Sequence, residues 1–151
     1  MYRSLDPEAA TEPDEGTVMD VSVHPPRIEK LAVRFDFWGG DDLLYCFPYF
    51  LVTERLRTAI EQAQLSGCSF EDVVVTRSIE FEDLEEFYPG REFPKFYWMK
   101  VFGRAGEDDF GLSDSHCLVA SEKAFDLLKS FKIDNCEVEE FRGSCIGPPN
   151  S

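Results

Sequence analysis

The chain has 151 residues, an apolar fraction of 43% and 14 Phe, so it can bury one hydrophobic core without disulfide or metal support. Thirty acidic residues against fifteen basic ones give a net charge of −15. This charge argues against binding to nucleic acid or to an anionic membrane, both of which require basic clusters. It favours a basic protein as the partner.

Residues 1–28 are predicted to form an acidic, proline-containing N-terminal arm, and residues 29–151 a single α+β domain. The first 28 residues contain Pro7, Pro13, Pro25 and Pro26 and six acidic side chains against two arginines. Their start lacks the apolar stretch of a signal peptide, so we expect a cytoplasmic protein. The alternation over residues 18–23 predicts one short strand within this segment.

The next segments predict a β-hairpin. Residues 33–38 alternate between apolar and polar side chains, and Gly39-Gly40-Asp41-Asp42 follows as a turn. Residues 43–52 are an apolar run too short to cross a membrane, which is typical of a buried strand.

Thr53 is predicted to cap a helix that ends near Ser66-Gly67. Alternation over residues 73–81 then predicts a strand. Residues 95–102 are apolar at consecutive positions, which predicts a central strand covered on both faces.

The last elements repeat an earlier pattern. Residues 117–120 predict a strand, Ser121 the cap of a second helix, and residues 136–141 a final strand. An offset of 68 residues superposes this segment on the earlier strand and helix, including the cap, the helical stripe and a following cysteine. The stripes are Leu56, Ala59, Ile60 and Ala63 in the first helix and Ala124, Leu127, Leu128 and Phe131 in the second. We therefore predict an α+β fold with a mainly antiparallel sheet and two helices from a repeated strand–helix–strand unit.

The five cysteines include no CxxC pair, which argues against a zinc ribbon or a redox motif. We expect all five to be reduced thiols and the protein to bind no metal or cofactor. The cysteines are Cys46, Cys68, Cys117, Cys136 and Cys145.

Catalytic patterns are weak in this sequence. His116 and Cys117 are adjacent and would point to opposite faces of a strand, so they do not form a nucleophile–base pair. Carboxylate pairs are abundant, but thirty acids produce such pairs by chance. We therefore predict that the protein is not an enzyme, and a small carboxylate-dependent hydrolase is the weakest alternative.

Two acidic clusters interleaved with aromatic residues flank the predicted central strand. Acidic surfaces with aromatic anchors attract and then hold a basic protein. The alternative is a solvated face that only keeps the protein soluble. The candidate partner-binding residues are Asp83, Glu85, Glu86, Phe87 and Tyr88 in the first cluster and Glu107, Asp108, Asp109 and Phe110 in the second.

Residues 50–57, their echo at 118–125 and the segment 133–141 resemble a family of small bacterial immunity proteins from polymorphic toxin systems, formerly a domain of unknown function. The family is related to a group with a doubled CxxCG motif, which this chain lacks, so the metal site of that group is not carried over. The resemblance implies a toxin inhibitor that binds and occludes a cognate toxin domain, such as a basic nuclease. The alternative function is a cytoplasmic protein-binding or adaptor module.

Overall fold

A computed structural model describes residues 1–141, and in this part of the chain thirteen strands and three helices form. The strands are β1 Arg3–Asp6, β2 Thr11–Pro13, β3 Val18–Asp20, β4 Arg27–Lys30, β5 Ala32–Phe35, β6 Leu43–Cys46, β7 Tyr49–Thr53, β8 Cys68–Glu71, β9 Val74–Arg77, β10 Phe96–Val101, β11 Phe110–Leu112, β12 Leu118–Ala120 and β13 Glu137–Glu140. The helices are α1 Glu54–Gln62, α2 Ile79–Glu85 and α3 Glu122–Lys129.

The strands form four sheets. Their orders are β11-β12-β1-β13, β6-β7-β10-β8, β2-β5-β9 and the two-stranded β3-β4. Every pairing between these strands is antiparallel except that of β5 with β9, which is parallel. The predicted α+β class with mainly antiparallel sheets is confirmed, and α2 is a third helix that the sequence pattern did not indicate.

The sheet β6-β7-β10-β8 is the central layer of the fold. On β10, Tyr97 and Met99 belong to one apolar core, whereas Phe96 and Trp98 belong to a second core. Successive side chains of a strand point to opposite faces, so this sheet is covered on both sides. The prediction for residues 95–102 is therefore confirmed.

The first core lies between the central sheet, the β1-containing sheet and two helices. Leu56 and Ile60 of α1 and Ala124 and Leu128 of α3 are at most 1% exposed, and all four belong to this core. The apolar stripe predicted for each helix is thus the face that packs.

The second core is rich in aromatic side chains. Phe35 from the β2-β5-β9 sheet meets Phe96 of the central sheet with ring centroids 4.9 Å apart. Phe81 of α2 packs edge-on against Phe35 and Phe93. These contacts hold α2 against the face of the central sheet that α1 and α3 leave uncovered.

The first 28 residues do not form a separate arm. Strand β1 lies between β12 and β13 in a four-stranded sheet, and Leu5 is 1% exposed in the first core. The prolines of this segment are accommodated because most of them lie outside the strands, and Pro13 ends β2 at a sheet edge, where a missing N–H is tolerated.

Local predictions failed where a turn or a cap changes the pattern. The run 43–52 contains the hairpin itself, because Phe47-Pro48 separates β6 from β7, while β5 joins a different sheet. The predicted strand 73–81 ends at Arg77, because Ser78 accepts a hydrogen bond from the Phe81 N–H and starts α2. Thr53 precedes α1, but its side chain makes no capping bond.

The cysteines differ from the expectation at one position. Cys46, Cys68 and Cys136 are free thiols, and burial raises the pKa of Cys68 and of Cys136 to about 12, which leaves both as unreactive thiols. Cys117 is disulfide-bonded, so the prediction of five reduced cysteines is wrong there. Cys145 lies outside the described residues.

Truncating Leu128 tests the first core. Replacement Leu128→Ala should lower the free energy of unfolding by about 2–5 kcal/mol, because it removes buried methyl groups and leaves a cavity. Urea denaturation followed by circular dichroism measures this change. The matched replacement Val74→Ala, at a side chain that is 52% exposed, should change it by about 0.5 kcal/mol at most. Equal effects of the two replacements would contradict the assignment of Leu128 to the core.

Candidate functional site

Helix α2 presents a mixed acidic and aromatic surface because only one of its side chains is buried. Phe81 is fully buried in the second core and fixes the helix to the domain. The Ser78 Oγ accepts the Phe81 N–H at 3.1 Å, so the first turn is capped. The remaining side chains of the helix are exposed to solvent, except that of Glu85, which is partly buried.

The exposed side chains around α2 are unusual for a surface because several are large and apolar. Phe87 is 77% exposed, Ile79 79% and Tyr88 51%. Exposed acids stand among them at Glu80, Glu82, Asp83 and Glu86. We call residues 79–88 the α2 surface. Exposed aromatic side chains within a charged border are characteristic of protein-binding sites.

Arg91 orders the end of the α2 surface. Its guanidinium lies 4.3 Å from the Tyr88 ring centroid and 4.7 Å from that of Trp38. It donates a hydrogen bond to the Trp38 carbonyl at 2.8 Å and forms an ion pair with Glu85. Tyr88 is therefore held in place. Glu85 is half-buried, and its carboxylate is already paired with Arg91. Of the predicted residues in this cluster, Asp83, Glu86, Phe87 and Tyr88 remain available to a partner.

The second predicted cluster is mainly structural, and Glu107 is its one fully exposed member. Phe110 is fully buried in the first core, so its proposed role as an exposed anchor is wrong. The Asp108 carboxylate accepts the backbone N–H of Arg104 at 2.7 Å. Glu107 is exposed and lies 3.6 Å from the Arg104 guanidinium. Sequence reasoning placed these residues at an interface because an acidic, glycine-rich segment is typical of a solvent-exposed loop.

Asp109 links the two helices of the first core. Its carboxylate accepts the Ser121 hydroxyl at 2.7 Å, just before α3, and the Ser66 N–H at 3.0 Å, just after α1. Burial alone would raise the pKa of Asp109, but these hydrogen bonds together with Lys123 outweigh it and lower that pKa. The residue is therefore an ionised internal link.

Asp42 makes the corresponding contacts at the other helix start. It accepts the Thr53 hydroxyl at 2.6 Å before α1 and the Lys132 N–H at 2.8 Å after α3. Arg55 adds two hydrogen bonds at 2.6 and 2.7 Å. Burial raises the pKa of Asp42, but the donors together lower it below its usual value.

Sequence reasoning missed Asp42 because Gly39-Gly40-Asp41-Asp42 resembles a solvated turn. The signal that could have found it is the recurrence of an acidic pair directly before an apolar strand. Asp41 and Asp42 precede β6, and Asp108 and Asp109 precede β11.

Glu8 and Asp41 are two further buried carboxyl groups, and their pKa values shift in the opposite direction to that of Asp42. Burial raises the pKa of both groups, and the hydrogen bonds from Gly39 to Glu8 and from Asn135 to Asp41 only partly offset it. Glu8 is 8% exposed and Asp41 fully buried. A hydrolase would need such carboxyls in an accessible cleft, and neither lines the two cavities of about 430 and 410 Å³ on this structure.

Comparison with known proteins returned no relative: neither a family model, nor a curated protein, nor a solved structure matches this chain. Across residues 1–141, no group of three or more His, Cys, Asp or Glu is arranged to hold a metal ion. None of the helices described here is long and apolar enough to cross a bilayer.

The two kinds of buried carboxyl predict opposite responses to amide replacement. Asp42→Asn should lower the free energy of unfolding by about 1–3 kcal/mol near neutral pH, because the new amide points a donor at other donors. Glu8→Gln should leave it unchanged or raise it, because burial disfavours the charged form of the Glu8 carboxyl and the replacement removes that charge.

Both differences should shrink on acidification, that of Glu8 by about pH 4 and that of Asp42 only below it, and urea denaturation at about pH 8, about pH 4 and about pH 2.5 measures them. Asp42 has a lowered pKa, so its contribution is present above its ordinary value of 3.8 and is lost as the pH falls through the folded-state pKa. Glu8 has a raised pKa, so protonation of the folded state removes its penalty as the pH falls towards the ordinary value of 4.5. A larger loss from Glu8→Gln than from Asp42→Asn at pH 8 would contradict these assignments.

Proposed function

We propose that this protein is a non-enzymatic bacterial immunity protein of the cytoplasm, which binds a basic toxin domain through the α2 surface and occludes it. The observation that carries the proposal is the exposure of Phe87 and Tyr88 on a segment whose acidic side chains are also exposed. Aromatic residues dominate the binding energy of protein interfaces. A soluble domain exposes them at a cost in solubility, so their exposure beside each other favours a binding role over a solubility device.

The charge of the α2 surface suits a basic partner. Glu80, Asp83 and Glu86 are exposed, and no ion pair involves them among the described residues. Such charges raise the association rate of a cationic protein, and salt screens this effect. The aromatic side chains become desolvated only in the complex and set the dissociation rate.

We also propose that the domain consists of two copies of one strand–helix–strand unit. Support comes from the order of the strands: β10 lies between β7 and β8, which flank α1, and β1 lies between β12 and β13, which flank α3. Further support comes from Asp42 and Asp109, each of which also accepts, at its backbone carbonyl, the N–H of the residue before a helix. This arrangement fits the resemblance, in which a strand-to-helix element occurs twice.

Charge reversal on the α2 surface tests the proposed function. The proposal expects a toxin domain to be encoded beside this gene; that domain would be co-expressed with the immunity protein, and growth rescue and stopped-flow association measured. The triple variant Glu80→Lys, Asp83→Lys, Glu86→Lys should slow association by about tenfold or more at low salt. It should also weaken the rescue. Phe87→Ala should instead accelerate dissociation.

The matched control reverses Glu29, Glu137 and Glu139, which are equally exposed and lie outside α2. It produces the same change in net charge and should slow association far less, because steering depends on where the charge lies as well as on its sum. Failure of the wild-type protein to rescue growth would contradict the immunity role. Equal slowing by both triple variants would contradict the α2 surface as the site.

A further inference from the structure

A groove near the end of the central sheet differs in charge from the rest of the protein. It has a volume of about 430 Å³, within the range of about 300–1,000 Å³ that small-molecule sites occupy. Its lining includes Arg27, Lys100 and His116 but no Asp or Glu, although thirty of the 151 residues are acidic. The second cavity, of about 410 Å³, is lined by three acidic residues. These two cavities therefore differ in the charge of their linings.

The groove combines an apolar floor with an exposed aromatic lip. Trp98 lines it and is 7% exposed, so its apolar floor belongs to the second core. Phe102 lies at the same groove with 71% of its surface exposed. The Phe102 backbone is fixed, because its N–H donates to the Gly67 carbonyl at 2.9 Å. An exposed phenylalanine on a fixed backbone gives a flat ligand a second face to pack against.

The cations of the groove are placed to meet a negative group. Lys100 Nζ lies 5.0 Å from the Trp98 ring centroid, and it is also 2.7 Å from the exposed Glu71 carboxylate. Arg27 and Asp20 are register partners on β4 and β3. Both acids lie outside the lining, so two basic side chains and no carboxylate line the groove. Burial lowers the pKa of His116, so this lining side chain is uncharged at neutral pH.

We propose that this groove binds a small anionic ligand with an aromatic body, whose ring packs between Phe102 and the apolar floor and whose negative group meets Lys100 and Arg27. A bare inorganic anion would leave the floor empty, and a cationic ligand would meet two positive side chains. The site is independent of the α2 surface and does not rest on the proposed function.

Anilinonaphthalene sulfonate, a fluorescent anionic aromatic dye, is the probe that tests the proposal. We expect the native full-length protein to bind one dye molecule with saturable fluorescence enhancement. Phenylnaphthylamine, which has the same rings without the charge, should bind about tenfold more weakly, a difference of about 1.4 kcal/mol. Equal binding of the two dyes, or no saturable binding of the anionic one, would overturn the proposal.

Substitutions then locate the dye. Phe102→Ala and Lys100→Gln should each weaken binding by about fivefold or more, whereas Glu71→Gln should strengthen it by freeing Lys100. Phe37→Ala and Lys129→Gln are the matched controls: Phe37 is 44% exposed, and Lys129 also pairs with an acid and lies over a ring. Neither lines the groove, and neither should change the affinity. Urea denaturation verifies that each variant is folded. Loss of binding in the controls, or none in Phe102→Ala, would place the dye elsewhere and overturn the assignment.

Discussion

The two ionised aspartates, Asp42 and Asp109, are the constraint on which the first core depends. Each carboxylate accepts the hydroxyl of the residue before one helix and a backbone N–H just after the other helix. Asp42 is buried, and a buried carboxylate is tolerated only when its charge and lone pairs are satisfied, so the chain before α1 and the chain after α3 must be in place together. The contacts cross between the two helices and fix how α1 and α3 sit on the central sheet. Packing of Leu56 and Leu128 against that sheet follows from this arrangement.

The central sheet also fixes the position of the α2 surface, through the core on its second face. Because both of its faces are buried, β10 carries first-core residues and second-core residues alternately. The second core receives Phe81, which fixes α2, and Arg91 fixes the chain beyond it through Trp38. The α2 surface is therefore rigid although its side chains are exposed. Rigid anchors lose little entropy when a partner binds, so this surface is suited to the binding role proposed for it.

Sequence patterns predicted those parts of the fold in which one period dominates. The strands around residues 96–101 and 118–120 and the two helices after Thr53 and Ser121 follow from apolar runs and helical stripes. Helix α2 was missed because the alternation over residues 73–81 continues past Arg77, and only the Ser78 cap marks the change. The place of β1 could not be predicted either, since its partners β12 and β13 lie more than a hundred residues away.

For the candidate site too, local sequence predicted the kind of residue, whereas its burial depends on contacts that are distant in the chain. An acidic and aromatic composition pointed to Phe87 and Tyr88, which are exposed, and equally to Phe110, which is fully buried. Composition alone cannot separate them, because the burial of Phe110 depends on strand pairing with residues near 120. The same holds for the acids: Asp83 faces solvent, while Asp109 holds two helix ends. The function of a carboxylate in this protein is set by the donors that the fold brings to it, and these include distant ones such as the Lys132 N–H that reaches Asp42.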